Sequence, residues 1–563
     1  MNDQQEFEIH WLEDIKKTIL DRNVDNITLS TGKTPSGSIH LGILREITIC
    51  DCLKRLLVDE GKNVNFYLFF DSLDAAKKFP SYIPKEMKEH LGKPFSDIPC
   101  PDKSCGCESY AYHWGNELVS TFPEFGITPE IKWSHELYKT KEMKDQIKKA
   151  LDNTELIRKI VLKNILPTLD EDGGKAYTKQ MEEWYPAMVI CSKCGTTQYN
   201  NKKAGRIFAN RVLDYFPGTS EVTYECPNPK CNNKEKVNLY DSRVKLNWRV
   251  DWPAKWDLFK TTCEPAGKDH ATKGGSYDTG LELCNAVFGY EGPIKVPYEW
   301  LRLGDQDMST SGGIVFNPRE YLNIGGLPEA FRHLIVKTKP LTHISFRVEQ
   351  LPQMFDDYER FERIYFGIEE VDEEEVEVSK YMFPVTQVGK LPRKLPVRIP
   401  FRFQVVMAQI QEILDDAIIV QKCNEMRERV NFDVDVTEMK QQDVKDQLTR
   451  ALYWVNTYAP KQYRFNVSKE LDPTIKKAFN DEQRAIYSRL LEIVENHEYR
   501  DEQELQNSIF KIAKEDLDIK PKKVFQAIYK VFLGKKSGPR LGPFLIALDE
   551  KFIISRLKEA ISD

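Results

Sequence analysis

No stretch of this sequence approaches the roughly 18–20 consecutive apolar residues that cross a bilayer, so a membrane-spanning protein is not expected. Residues Met1 to Glu6 carry acid and no base ahead of the first apolar positions, unlike a secretory signal. The expectation is a cytoplasmic chain in a reducing compartment, whose cysteines hold metal or stay buried as thiols. Charge of one sign is also missing: the net charge of −6 gives no overall attraction for nucleic acid.

What is present fits a packed, water-exposed protein of several domains. The 563 residues are 41% hydrophobic, 11% aromatic and 30% charged, and exceed what one hydrophobic core accommodates, so three or four domains are expected. The negative charge is local. Between Glu369 and Glu377 lie seven acids and no base, enough to account for the whole net charge, and their mutual repulsion predicts a solvated, mobile linker.

The first third reads as α/β. Asn26 to Ser30 is a short strand candidate and Val64 to Phe70 a buried one, with helical periodicity from Ile39 to Leu57 between them and Gly61 near its end. Strand, glycine-containing turn, helix and strand make a βαβ unit, whose right-handed crossover builds parallel sheets that bind ligands at the carboxyl ends of their strands. Cys, Gly, Pro and Asn clusters near 99–115 and 190–235 predict insertions in that sheet, and α/β character returns from Arg243 to Val315. Beyond Tyr321 the chain turns helical without an obvious repeat. Apolar residues at three- and four-residue spacing predict helices over Val405–Val420, Glu482–Glu495, Glu502–Lys514, Pro521–Phe532 and Leu548–Ala560.

The chemistry is concentrated where the first strand enters the first helix, in Thr31-Gly32-Lys33-Thr34-Pro35-Ser36-Gly37-Ser38-Ile39-His40-Leu41-Gly42-Ile43-Leu44-Arg45-Glu46. Gly32 and Gly37 allow tight turns, and His40 and Gly42 fall where a phosphate would meet unpaired N–H groups at a helix start. This run resembles the first signature of class I aminoacyl-tRNA synthetases, in the form used by class I lysyl-tRNA synthetases. Lys245 to Pro253, Gly267 to His270, Gly274 to Gly280, Tyr298-Glu299-Trp300 and Gly538 to Phe544 resemble further blocks of that family in the same order.

The resemblance implies a Rossmann-type parallel-sheet core over 1–320 with zinc-binding insertions, a connecting region over 321–400 and a helical anticodon-binding domain over 401–563. It implies ATP-dependent activation of lysine, assisted by Mg²⁺, to lysyl-adenylate, and transfer to tRNA(Lys) with release of AMP and pyrophosphate. Pro35, Ser36, Gly37, His40, Gly42, Asp269 and Ser309 are then ATP-site candidates. Gly32, Thr34, Trp248, His270 and Tyr298 match lysine-binding positions, and Glu46 is the expected charge partner of the ε-ammonium, which needs a carboxylate or aromatic faces to replace water. A monomer is expected.

The second class I signature departs from its family. Where two lysines flank Met-Ser on a loop over the triphosphate, this chain has Asp307-Met308-Ser309-Thr310-Ser311, keeping Met308, Ser309 and Ser311 as catalytic candidates. A cationic contact made in the transition state is worth about 2–4 kcal/mol, about 30-fold to nearly a thousandfold in rate. Lys268, Lys273, Arg302, backbone amides of Gly312 and Gly313, or Mg²⁺ are the candidate replacements. Two alternatives therefore stay open: a tRNA-binding paralogue without activity, and a class I synthetase for another amino acid.

Twelve cysteines include two clusters. Cys191-x2-Cys194 and Cys226-x4-Cys231 have the spacing of two knuckles closing a tetrahedral S₄ site, for which structural Zn²⁺ is the expected occupant. Cys100, Asp102, Cys105, Cys107 and His113 offer one ligand too many. The family's Asp, Cys and His zinc site favours Asp102, Cys105, Cys107 and His113, with Cys100 as alternate. Cys50, Cys52, Cys263, Cys284 and Cys423 have no partner spacing and are expected as buried thiols. Lys390, Arg393, Lys394, Arg398 and Arg402 beside Phe401 and Phe403, and seven bases from Lys520 to Arg540 beside Phe525, Tyr529 and Phe532, are the expected RNA-facing stretches, with the lysines preferred over the aromatics.

Overall fold

A computed structural model describes residues 10–201, 206–309, 315–430 and 438–562. Its contacts divide the chain into two units. One takes residues 1–321, 328–346 and 371–390, and the other 322–327, 347–370 and 391–563.

The first unit is built on five parallel strands: β1 (Asn26–Lys33), β2 (Asn63–Phe70), β3 (Glu130–Trp133), β4 (Cys263–Gly267) and β5 (Ile294–Tyr298). Their order across the sheet is β5-β4-β1-β2-β3. The central β1 has five consecutive buried residues, Ile27 to Thr31, because helices cover both faces of a parallel sheet. It pairs with β2 over eight positions, from Asn26 opposite Asn63 to Lys33 opposite Phe70, and with β4 at Leu29 opposite Cys263. The chain builds outward to β3, then returns to add β4 and β5 on the other side. The order therefore reverses between β1 and β4, the position at which open α/β sheets hold ligands beyond their carboxyl ends.

Helix α1 (Ile43–Asp59) leaves this switch point at Gly42 and buries every residue from Ile43 to Leu53. It ends before Gly61, whose φ of +74° suits the left-handed position after a helix. Arg332 is wholly buried behind it, donating to Asp51 at 2.6 Å and to the carbonyls of Phe125 and Val385.

The segment between β3 and β4 carries helices Lys141–Asp152, Thr154–Ile165 and Glu171–Glu182, followed by short antiparallel strands around the cysteines. A buried cluster including Ile147, Ile157, Val189, Val222, Tyr224 and Leu246 joins these helices to the strands. The second unit is helical. At its centre Trp454 is fully buried, its indole donating to the Val348 carbonyl at 2.8 Å, and Phe355 stacks on Phe401 at 4.6 Å.

The acidic run is not a free linker. Asp372 caps a helix over Glu373–Thr386 by accepting from the Glu375 amide at 2.8 Å, and Glu369 pairs with Arg360 at 2.7 Å. Carboxylates at a helix N-terminus meet its positive end, which offsets the repulsion that made a coil the expectation. Residues 321–400 are shared between the two units.

Candidate active site at the sheet switch point

The turn after β1 is held open by its own side chains. Thr34 donates to Asp74 at 3.0 Å, the Ser36 carbonyl accepts from the Tyr110 hydroxyl at 2.9 Å, and Ser38 donates to Glu117 at 2.7 Å. Pro35 and Gly37 are buried beneath it, while Gly32 is exposed at the strand end.

His40 folds over Gly42. A Cβ at Gly42 would lie 2.9 Å from His40 Nδ1 and 3.0 Å from Cε1, so only glycine leaves the ring in place. His40 Nδ1 is buried without a partner among the described residues. Burial, with the nearby Lys33 charge adding to it, holds the imidazole pKa down at about 3, so the ring is neutral at physiological pH and available as a hydrogen-bond group.

Both flanks of the second signature meet the first. The Phe316 carbonyl accepts from the Leu41 amide at 2.7 Å, Asn317 donates to Ser38 at 3.0 Å, and the Leu301 carbonyl lies 3.5 Å from where a Gly42 Cβ would stand. Met308 and Ser309 are half-buried. Ser311, with Thr310, Gly312 and Gly313, lies outside the described residues. Asp307, standing in place of a lysine, pairs with Arg302 at 2.7 Å.

A second group of side chains lies under the switch point. Glu46, near the start of α1, accepts from Thr31 Oγ1 at 2.7 Å and, through its other oxygen, from the Tyr298 hydroxyl. Burial pushes its carboxyl up to about 7 against those hydrogen bonds and the Lys33 charge. Tyr298 ends β5, in register with Gly267 at the end of β4, and its hydroxyl is 3.8 Å from where a Gly267 Cβ would be. From there the chain enters the turn Lys268–Ala271. His270 Nδ1 bonds Ser276 Oγ at 2.9 Å, and its ring lies 5.9 Å from Trp248 and 5.7 Å from Trp252. Trp248 is 45% exposed at the head of the helix Trp248–Phe259, with the Arg249 guanidinium 4.3 Å over its ring. Asp269 is exposed.

Sequence reasoning passed over several charged residues here. Glu264 on β4 is buried and accepts from Trp252 at 2.6 Å, Trp256 at 2.9 Å and Ser30. Lys255 pairs with Asp71 and Asp251, each at 2.7 Å, and Lys245 with Asp74 at 2.9 Å. Arg45 is buried against the carbonyls of Glu299, Lys339, Pro340 and Thr342 at 2.6–3.2 Å. The local pattern gave no signal for Lys245, since Val244-Lys245-Leu246 alternates like a strand with a solvent-facing lysine.

Cys191, Cys194, Cys226 and Cys231 bring four sulfurs within 4.8 Å of one another. Cys191 and Cys231 are 3.7 Å apart and Cys194 and Cys226 3.6 Å. A tetrahedron with metal–sulfur bonds of about 2.3 Å has edges of about 3.8 Å, so this donor set fits a closed four-thiolate ion. The other cluster gathers Cys100, Cys105 and His113. Of the expected set, Cys105 and His113 stand in this group together with the alternate Cys100, while Asp102 accepts from the Ser104 amide at 2.8 Å and hydroxyl at 2.7 Å and Cys107 offers its amide to Cys105 Sγ at 3.4 Å.

Cys50, Cys52, Cys263, Cys284 and Cys423 are all buried thiols. Of the basic stretches, Arg398 is tied to Glu362 and Arg402 to Asp356, and Phe401 and Phe403 are core, whereas Arg393, Lys394, Lys520, Lys522 and Lys536 are exposed.

A five-stranded parallel sheet whose order reverses beside a helix start defines a Rossmann-type fold. Comparison with known proteins narrows this. The model of the tRNA synthetases class I (K) matches residues 9–388, and that of an anticodon binding domain matches 406–561. A lysine–tRNA ligase of Methanocaldococcus jannaschii is 34% identical over 97% of this chain and 99% of its own length. That of Thermococcus kodakarensis is 32% identical over 98% and 99%. Among solved structures, a glutamate tRNA ligase of Elizabethkingia meningosepticum covers 95% of this chain and 99% of its own at 13% identity and a TM-score of 0.34, too low to argue from. The chain belongs to the class I tRNA synthetases of the K family. No helix among the described residues is long and apolar enough to cross a membrane.

Proposed function

We propose that this chain attaches L-lysine to tRNA(Lys) through a lysyl-adenylate, as the lysine–tRNA ligases it resembles over almost its whole length are named to do. That near-complete match carries the reading, and it disfavours both a binding-only paralogue and another amino acid.

ATP lies over the first signature, its phosphates against the start of α1, where free amide N–H groups and the dipole favour anions. His40, neutral and packed on Gly42, donates to a phosphate oxygen. A carboxylate oxygen of lysine attacks the α-phosphorus in line, the bond to the β-phosphate oxygen breaks, and pyrophosphate leaves with the electron pair. The protein contributes position and charge complementarity rather than a nucleophile. Asp269, exposed beside this space, faces the ribose.

The lysine side chain extends under the switch point toward Glu46, with Tyr298, His270 and Trp248 around it. Gly32 and Thr34 hold its α-amino end near the reacting carboxylate. Asp71 and Asp74 are each occupied by a lysine, so this carboxylate pair would not hold Mg²⁺, which would be bound through the triphosphate and would supply charge neutralisation there.

Cys191, Cys194, Cys226 and Cys231 would hold Zn²⁺, which would tie the insertion together. Four thiolates leave no open position, so it has no catalytic share. A second zinc at Cys100, Cys105 and His113 needs a further ligand. The helical second unit reads the anticodon, with Lys520, Lys522 and Lys536 among its phosphate contacts. Lysine-dependent exchange of labelled pyrophosphate into ATP tests the activation step: exchange with lysine alone supports it, and exchange with another amino acid overturns it.

A further inference from the structure

The second signature carries no lysine, so the phosphates must find positive charge elsewhere. Cations around the site are mostly committed. Lys268 pairs with Glu299 at 2.8 Å, Arg302 with Asp307 at 2.7 Å, and Lys245 and Lys255 with the aspartates after β2. Each such pair is close to neutral when seen from the substrate.

Lys33 differs. It is the last residue of the central strand, opposite Phe70, at the carboxyl end of the sheet and immediately before the signature turn. Among the described residues its ammonium makes no hydrogen bond or close ion pair, although its charge is felt by both His40 and Glu46. Glu46 accepts from Thr31 and Tyr298, and among the described residues no ion pair joins it to Lys33, whose charge it feels only at longer range. Burial depresses the ammonium, as expected for a charge held away from water without a close partner. His40 Nδ1, which feels the half-buried Lys33 charge, is buried and likewise unpaired among the described residues. An unpaired cation and an unpaired imidazole nitrogen within electrostatic reach of each other, at the head of α1, complement one anion.

We propose that Lys33 contacts the phosphates of ATP directly, supplying from the strand side positive charge that the second signature lacks. This rests on the reading of the chain as an ATP-dependent lysine–tRNA ligase. In the reaction it gives and takes no proton. It donates to a phosphate oxygen as charge builds on the departing pyrophosphate.

The test uses the full chain with Lys33→Met, Lys33→Gln and Lys33→Arg. Binding of Mg-ATP without amino acid, and of lysine without ATP, is measured by calorimetry, alongside lysine-dependent pyrophosphate exchange. The expected result is a loss of about 10- to 100-fold in ATP affinity or exchange rate for Met and Gln, with wild-type melting and with lysine affinity close to wild type when compared well above pH 7, where Glu46 is ionised even without the Lys33 charge, and recovery of most of the loss by Arg. Unchanged ATP binding and exchange in either folded neutral variant overturns the proposal. So does a loss confined to lysine binding, which would assign the ammonium to the amino-acid carboxylate or to Glu46. The ATP arm needs no lysine activation, so a wild-type chain that bound ATP but did not activate lysine would strike the proposed function and still leave Lys33 decided.

Discussion

The Tyr298 hydroxyl donates to the Glu46 carboxylate across 252 positions of sequence, joining the end of the β5 strand to the head of α1. Thr31 on β1 holds the other carboxylate oxygen at 2.7 Å. Two strands of the sheet and the first helix thus converge on one acid beneath the switch point, and its ionisation is the most direct handle on the proposed lysine pocket.

Glu46 is pushed up to about 7 by burial, helped by Glu264 and opposed by Tyr298, Thr31 and Lys33. Only the ionised form pairs with an ammonium, so lysine affinity should rise between pH 6 and pH 8, by up to about tenfold per unit below 7. Glu46→Gln should remove that slope and weaken binding by about 10- to 100-fold. The stability effect has the opposite sign. A carboxyl raised in the fold contributes fully below its ordinary value of 4.5 and loses that share as pH rises through 7. Calorimetric titration with lysine across this range checks the first point, and denaturant melts at pH 5 and pH 8 check the second.

Gly42→Ala places a methyl 2.9 Å from His40 Nδ1. The ring must swing away while the helix, whose start tolerates alanine, remains. The variant should melt close to the wild type and lose about tenfold or more in lysine-dependent exchange, the loss of roughly 1.4 kcal/mol of transition-state contact. Exchange at the wild-type rate would remove His40 from the phosphate site.

The four thiolates should hold one tightly bound zinc per chain, and Cys226→Ser should lose it. Metal analysis after gel filtration gives the stoichiometry. Limited proteolysis with and without a chelator should show new cleavage within residues 187–246 when the metal is stripped, because the ion would tie the turn at Cys191–Cys194 to the turn at Cys226–Cys231.

Arg332→Met leaves Asp51 buried with only Arg55, at 2.8 Å, to balance it, and frees the carbonyls of Phe125 and Val385. Breaking such a buried pair costs about 3–5 kcal/mol. A large fall in denaturation midpoint with pyrophosphate exchange retained below the melt is the expected outcome.

Much of the frame was legible because its signals are local. The strand expected over Asn26–Ser30 runs to Lys33, that over Val64–Phe70 begins at Asn63, and the helix between starts at Ile43, since Ile39 to Gly42 form the turn. Pro521–Leu533 and Asp481–Glu495 match their apolar periodicity. The helix expected over Val405–Val420 breaks between Ile410 and Asp416. β4 was not foreseen: Cys-Glu-Pro-Ala-Gly has a proline and an acid where a buried strand wants β-branched residues, and hydrogen bonds from Ser30, Trp252 and Trp256, all outside the strand, make Glu264 tolerable there. Lys33 escaped for the same reason, because an ammonium's partners, or its lack of them, are set by residues distant in sequence.

The central claim is tested most directly by charging total tRNA with the purified full chain, Mg-ATP and each of the twenty amino acids in turn. The expected result is acid-precipitable tRNA with lysine and none of the others. Charging with a different amino acid, or tRNA binding without charging by any, would contradict it.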